Sequence, residues 1–443
     1  MDKRKKRENG ISAILVIAIA TIGFASMFVG QGREILQNMG LIAKEENTYI
    51  STSVDWSKVY PFKEENAAPQ YNITDYSSTE TQQPAEKRTV FVRFRNLITK
   101  MKDFESDCED NILGYTKLLE LSGRINRIAG KTDFGESNGV AQMENGHLNT
   151  TSKWNGYNIP NIELQAEKTG DFADWLAERD IDFFYVQKAT KTDKYDSNKE
   201  NLEINYVNNY FDFYSGTIKN QGIDVLDMRD YINEMGIDHY SLFFKTDEHW
   251  TMEAGMLAAE AIAEKMNTYG YNLDTTILNP NLYTENTYEK WFLGALGRRV
   301  TLGYTEPDDF TVYSPKFATD FSVVALDKDL DVRGGFDEVL FNHAVIDTCD
   351  YYGFSMYEGL SWGNRPLFQV TNNNVDNGVK VLLIRDSFSL ATIPYLSLLV
   401  QQCDCIDVRT TNGNFNGSIK TYIEQTQPDV VILMYDILDY DYN

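Results

Sequence analysis

Four cysteines in 443 residues are too few for a disulfide scaffold, and no spacing among Cys108, Cys349, Cys403 and Cys405 matches a zinc-ligand set. Cations are also scarce: 41 Lys plus Arg stand against 66 Asp plus Glu, a net charge of −25. That excludes a nucleic-acid binder, whose face must neutralise phosphates. What is present is enough to fold. A hydrophobic fraction of 42% fills a sizeable core and excludes disorder throughout, and the length suits one large domain or two ordinary ones. The 27 Tyr and 6 Trp suit a sugar-facing surface as well as an ordinary interior.

The few cations are clustered. Lys3, Arg4, Lys5, Lys6 and Arg7, set against Asp2 and Glu8, make a local +3 that leaves −28 for the rest of the chain. Residues 10–30 follow as an uncharged apolar run, and about 20 such residues span a ~30 Å hydrocarbon core. With the basic tail of residues 1–9 on its cytoplasmic side, the run is expected to be a single-pass transmembrane anchor that leaves the main domain extracytoplasmic. An uncleaved anchor is favoured over a cleaved signal peptide, because the run is long and Gln31-Gly-Arg-Glu34 offers no small-x-small site. Residues 31–87 read as a stalk or linker, rich in Ser, Thr, Asn, Gln and Pro after about residue 45.

From residue 88 the pattern is α/β. Helical spacing over 111–128, 162–179, 208–221, 251–266, 390–400 and 418–425 alternates with short apolar runs at 183–187, 223–226, 381–384, 405–408 and 430–434. Asn145-Gly146 marks a hairpin. Residues 270–338 lose the rhythm and read as an insertion or cap. The expected fold is a mostly parallel sheet covered by helices on both faces, with chemistry beyond the C-terminal ends of its strands.

Two strand ends stand out. In Val381-Leu-Leu-Ile-Arg-Asp-Ser-Phe-Ser389 a strand gives way to a helix at Ser387, which exposes a hydroxyl beside helix-start amides; the simpler role for Ser387 or Ser389 is a helix cap. In Leu242-Phe-Phe-Lys-Thr-Asp-Glu-His-Trp250 an extended chain turns Asp247 and His249 to one side and Glu248 away. A carboxylate that orients an imidazole, and an imidazole that takes a proton from serine, are what nucleophilic acyl transfer needs. His147, His239 and His343 have no such setting.

Together these segments resemble the DHHW family of the SGNH hydrolase-like superfamily, related to the alginate O-acetylation proteins. Further matching stretches are Phe183 to Gln187, Phe292-Leu-Gly-Ala-Leu-Gly-Arg-Arg299 and Gln427-Pro-Asp-Val-Val-Ile-Leu433; the likeness runs over roughly residues 90–443. It implies a circularly permuted SGNH fold over residues 88–443 and a catalytic triad of Ser387, His249 and Asp247. Glu248 replaces the first His of the family motif. Met434-Tyr-Asp-Ile-Leu438 stands where SGNH enzymes usually have Gly-x-Asn-Asp, which leaves the second oxyanion donor open among the Gly294 or Gly297 backbone and the Arg298 side chain.

The resemblance implies acetyl transfer to hydroxyls of a cell-surface polysaccharide through an acetyl-serine. A polytopic membrane acyltransferase is implied as the acetyl-donating partner, with no soluble cofactor and no metal. An acetyl esterase with the same triad, or a non-catalytic glycan-binding or assembly scaffold, are the rival readings. The acidity disfavours an anionic polymer unless Arg298, Arg299 and Arg385 line the cleft. Asp327-x-Asp329-x-Asp331 with Glu338 imitates a calcium loop but has Val332 where Gly is needed, and reads as a solvated acidic loop. Cys403 and Cys405 read as small core residues on one face of a strand.

Overall fold

The computed structural model describes residues 115–151, 159–325, 330–408 and 418–435. The basic tail, the expected anchor, the stalk and Cys108 lie outside these residues, and no helix among the described residues is long and apolar enough to cross a membrane. The described residues open with α1 (Tyr115–Ile128), then the hairpin strands β1 (Val140–Gln142) and β2 (Leu148–Thr150), paired antiparallel about Asn145-Gly146. There follow α2 (Ile159–Ala177), β3 (Asp182–Gln187), α3 (Val207–Asn220), β4 (Asp224–Asp227) and α4 (Met252–Thr268). Strands β5 (Tyr283–Phe292) and β6 (Asp308–Pro315) flank the short α5 (Ala295–Val300). Then come β7 (Phe321–Ala325), β8 (Leu330–Gly334), β9 (Leu367–Asn372), β10 (Lys380–Arg385), β11 (Gln402–Asp407), α6 (Ile419–Thr426) and β12 (Val430–Met434).

One eight-stranded sheet in the order β4-β3-β12-β10-β11-β9-β7-β8 organises these elements. The five strands from β4 to β11 are mutually parallel, but β9, β7 and β8 join by antiparallel pairings. The sheet is therefore mixed rather than mostly parallel. The two halves differ in side-chain pattern for a physical reason. Val430–Met434 and most of Lys380–Arg385 are buried at consecutive positions because helices cover both faces. Phe321–Ala325 and Leu367–Asn372 alternate buried with half-buried residues, as strands with one covered face do.

Successive side chains of β10 feed two cores. Val381 and Leu383 join Cys403, Cys405, Trp250 and α4 on one face, and Leu382 and Ile384 join Ile406, Phe172 and Tyr214 on the other. The thiols of Cys403 and Cys405 lie 3.8 Å apart, buried and unbridged.

Residues 270–338 do more than cap. Strands β5 and β6 form a separate antiparallel ribbon, whereas β7 and β8 are the edge of the main sheet. The helix read over 390–400 is replaced by a 3₁₀ turn (Ser387–Ala391) and a single α-turn (Ile393–Leu396), because Pro394 has no N–H to extend it. Asp331 lies in β8, and the Glu338 carboxylate accepts the Gly335 N–H at 2.9 Å; Asp327 and Asp329 lie outside the described residues.

Candidate active site

Strands β3, β12 and β10 end side by side, so their C-terminal extensions share one space: Lys188 after β3, Tyr435 after β12, and Asp386 with Ser387 after β10. The cleft there, of about 250 Å³, is lined among others by Asn149, Thr150, Lys188, Glu248, Ser387 and Tyr435. It lies beyond the carboxyl edge of the parallel strands, where open α/β sheets bind ligands.

The turn bearing Ser387 is built by Asp386, not by a serine cap. One oxygen of Asp386 accepts the Phe388 N–H at 2.9 Å and the other receives the Lys188 ammonium at 2.6 Å, both side chains buried. The ammonium also sits 3.7 Å from the centroid of the Phe388 ring. Ser389 Oγ donates back to the Asp386 carbonyl at 2.6 Å. Ser387 is half-buried, and its N–H bonds to no other described residue.

Asp247 and His249 converge through an Asx turn rather than an extended strand. The Asp247 carboxylate accepts the His249 N–H at 3.0 Å and faces His249 Nδ1 at 2.6 Å. That bend puts Glu248 in the wall of the Ser387 cleft instead of turned away from it. His249 Nε2 lies 2.7 Å from Ser387 Oγ. Burial works to raise the Asp247 carboxyl, but the charge and hydrogen bonds of His249 and the Ala295 N–H at 2.6 Å outweigh it and hold the group below the ordinary carboxylate range.

The serine and histidine segments are braced against each other. The imidazole of His249 stacks on Tyr357 with ring centroids 4.3 Å apart. The Tyr357 hydroxyl and the Trp250 indole N–H both donate to the Phe388 carbonyl, at 3.1 and 2.7 Å. Gly255 of α4 lets this turn pack closely: a Cβ there would stand 2.3 Å from the Ala391 carbonyl oxygen. Gly255→Ala is expected to cost about 1–3 kcal/mol by overpacking and to slow modification of Ser387; unchanged thermal unfolding and unchanged labelling would show that the contact is not needed.

The other oxyanion candidates take a different part. The Gly294 N–H donates to Thr246 Oγ1 at 2.9 Å and the Gly297 N–H to the Thr246 carbonyl at 2.7 Å, so both amides are used to hold the Asp247 loop. A Cβ on Gly294 would stand 2.3 Å from that of Asp247. Neither Arg298 nor Arg299 lines the cleft, and Arg385 is fully buried, held by Asn364 at 2.8 Å and Asp407 at 3.5 Å. The remaining histidines stay apart. Burial, helped by the Lys191 charge, lowers His147 to about 3. His239 is buried and donates from Nε2 to the Thr190 carbonyl at 2.7 Å, and exposed His343 lies 3.2 Å from Asp347.

Asp247, His249 and Ser387 thus meet beyond the carboxyl ends of the parallel strands of a mixed α/β sheet, with the histidine ahead of the serine in the chain. Residues 149–320 match the family model described as SGNH hydrolase-like domain, acetyltransferase AlgX, so the likeness to that superfamily read from the motifs holds. The match includes Asp247 and His249 and ends before Ser387. Among solved structures, Bacillus cereus PatB1 with a sulfonyl adduct is similar with a TM-score of 0.55 and 17% identity, over 67% of this chain and 94% of that one. A DHHW family protein from Eubacterium siraeum aligns with a TM-score of 0.49 and 18% identity, over 68% and 91%. The PatB1 likeness shows a shared fold. No curated protein matches in sequence.

Proposed function

We propose that the protein is an SGNH-type acyl-transfer enzyme that moves an acetyl group onto hydroxyls of a cell-surface polysaccharide, with residues 10–30 anchoring it in the membrane and the enzyme domain outside. The unbroken relay from Ser387 Oγ through His249 to Asp247, opening on a cleft, is the observation that carries this reading. The description of the matching family model as an acetyltransferase supports the acetyl group.

In the first half-reaction His249 Nε2 accepts the Ser387 proton as Oγ bonds to the acetyl carbonyl carbon. The Ser387 N–H supplies one donor to the oxyanion, and collapse expels the donor's leaving group, which takes the proton from His249. In the second, a sugar hydroxyl gives its proton to His249 while its oxygen attacks acetyl-Ser387, and collapse returns the proton to Ser387. Asp247 stabilises the imidazolium formed in each half. A polytopic membrane acyltransferase would supply acetyl groups from across the bilayer. Water in place of the sugar turns the same steps into esterase chemistry.

The cleft's charges favour a neutral or amino-sugar acceptor. Lys188 is paired with Asp386, Lys191 is turned onto the Asp247 loop, no arginine among the described residues lines the cleft, and Glu248 makes no hydrogen bond or ion pair with a described residue. Glu248→Gln is expected to improve acetylation of uronate-bearing oligosaccharides relative to neutral ones by about fivefold, the weight of one like-charge contact near water. An unchanged ratio in competition assays would remove Glu248 from acceptor choice. The whole reading is tested with the purified protein, an activated acetyl ester and a neutral oligosaccharide: sugar-dependent ester consumption with acetylated sugar as product supports transfer, whereas acetate release indifferent to sugar favours the esterase. A folded protein that does neither contradicts both and leaves the scaffold.

A further inference from the structure

Lys191 is a buried cation that the acyl-transfer steps above do not use. It lies four residues beyond the end of β3, is 3% exposed, and points its ammonium at the loop that carries Asp247. Its Nζ donates to three backbone carbonyls of that loop: Phe244, Lys245 (3.2 Å) and Asp247. The amides of the same loop go the other way. The Asp308 carboxylate accepts the Lys245 N–H at 2.9 Å, the Thr246 N–H at 2.8 Å and the Thr246 hydroxyl at 2.6 Å. A cation on the carbonyls and an anion on the amides clamp residues 244–247 from both sides.

We infer that Lys191 is a positioning residue for the acid–base pair, and that its ammonium must stay protonated for Asp247 and His249 to be held in line with Ser387. The inference rests on the proposed role of that triad. An ammonium fills three acceptors at once. The neutral amine has only two N–H donors and offers a lone pair to the third carbonyl, so loss of the proton breaks one arm of the clamp and repels it. The Asp247 carbonyl is one of the three, and a small displacement there reaches His249 through the Asx turn. Catalytic alignment is sensitive to shifts of this size.

The proton is held loosely enough to matter. Burial lowers the ammonium to about 8, against the favourable charges of Asp308, Asp247 and Glu248. Those three, with Lys245 of the loop, His147 of the β1–β2 hairpin and His239, are the titratable groups that face it, and burial keeps both histidines neutral. A histidine base by itself gives a rate that rises with pH to a plateau. The clamp adds a fall above about pH 8. Unfolding does not explain such a fall, because the unfolded chain keeps this proton to higher pH than the folded one. Between about 8 and the ordinary value of 10.5, Lys191's contribution to stability therefore rises with pH.

The test is the rate at which a serine-reactive fluorophosphonate modifies Ser387 in the full-length protein, measured from pH 6 to 10 with folding followed by near-ultraviolet circular dichroism. The wild-type rate is expected to fall about fivefold over the first pH unit above the midpoint and about tenfold over the next. Lys191→Met should react roughly 100-fold more slowly at pH 7 with no alkaline fall. Lys191→Arg, whose charge does not titrate in this range, should also lose the fall and react faster than the methionine variant. A flat wild-type profile from pH 8 to 10, which needs no variant to fold, overturns the inference, as does a Lys191→Met rate equal to wild type. In either of those cases the triad reading survives, because Ser387 is still modified; failure of Ser387 to react at any pH in folded protein overturns both.

Discussion

Ser387→Ala is expected to abolish modification by serine-directed reagents and to lower acetyl transfer by roughly 10⁴- to 10⁶-fold, the range found when a nucleophile is removed from a working triad. The fold should not change. Ser387 Oγ has His249 Nε2 as its hydrogen-bond partner, while the surrounding turn is held by Asp386, Lys188, Trp250 and Tyr357, none of which needs the hydroxyl. The variant should therefore unfold at the wild-type temperature and still bind oligosaccharide. Transfer within tenfold of wild type would assign the chemistry to another group.

Asp247→Asn is expected to cost about 10⁴-fold in the acylation rate for a reason specific to this loop. The carboxylate is acceptor-only and faces three N–H groups: the His249 amide and Nδ1 on one oxygen, and the Ala295 amide on the other. An asparagine has one oxygen for these, so either Ala295 or His249 meets an NH₂. Turned to satisfy Ala295, it offers a donor to Nδ1, which moves the imidazole proton to Nε2 and takes away the acceptor that Ser387 needs. Because Asp247 carries a charge that burial disfavours, its removal offsets part of the cost of the lost hydrogen bonds, and the rate is the informative quantity. Acylation of Ser387 at the wild-type rate by the asparagine variant would remove Asp247 from the relay.

Much of this site could be read from residue order. The consecutive apolar runs Phe183 to Gln187 and Val430 to Met434 marked strands covered on both faces, and Asp247-x-His249 and Ser387 lay at the ends of predicted elements. The antiparallel half was harder to read. Phe321–Ala325 and Leu367–Asn372 alternate weakly and sit among turn residues, so their place in the main sheet depends on pairings with no local signature. Glu248 was misplaced because an Asx turn, not an extended chain, carries the motif. Gly294 and Gly297 do lie beside the loop that carries Asp247, yet they donate to Thr246, about 50 residues away in the chain, instead of to an oxyanion. Lys191 and Asp308 gave no signal at all, since a lysine that binds backbone carbonyls looks in sequence like any surface lysine.

The proposed transfer turns on a covalent acetyl-Ser387. Rapid quenching of the protein with an activated acetyl ester, followed by peptide mass mapping, reads it directly. One acetyl group is expected on the peptide containing Ser387, formed before product and discharged faster when a neutral oligosaccharide is added. Turnover of the ester with acetyl on another residue, or with no acetyl-enzyme formed on the way, would contradict a serine-centred acyl transfer.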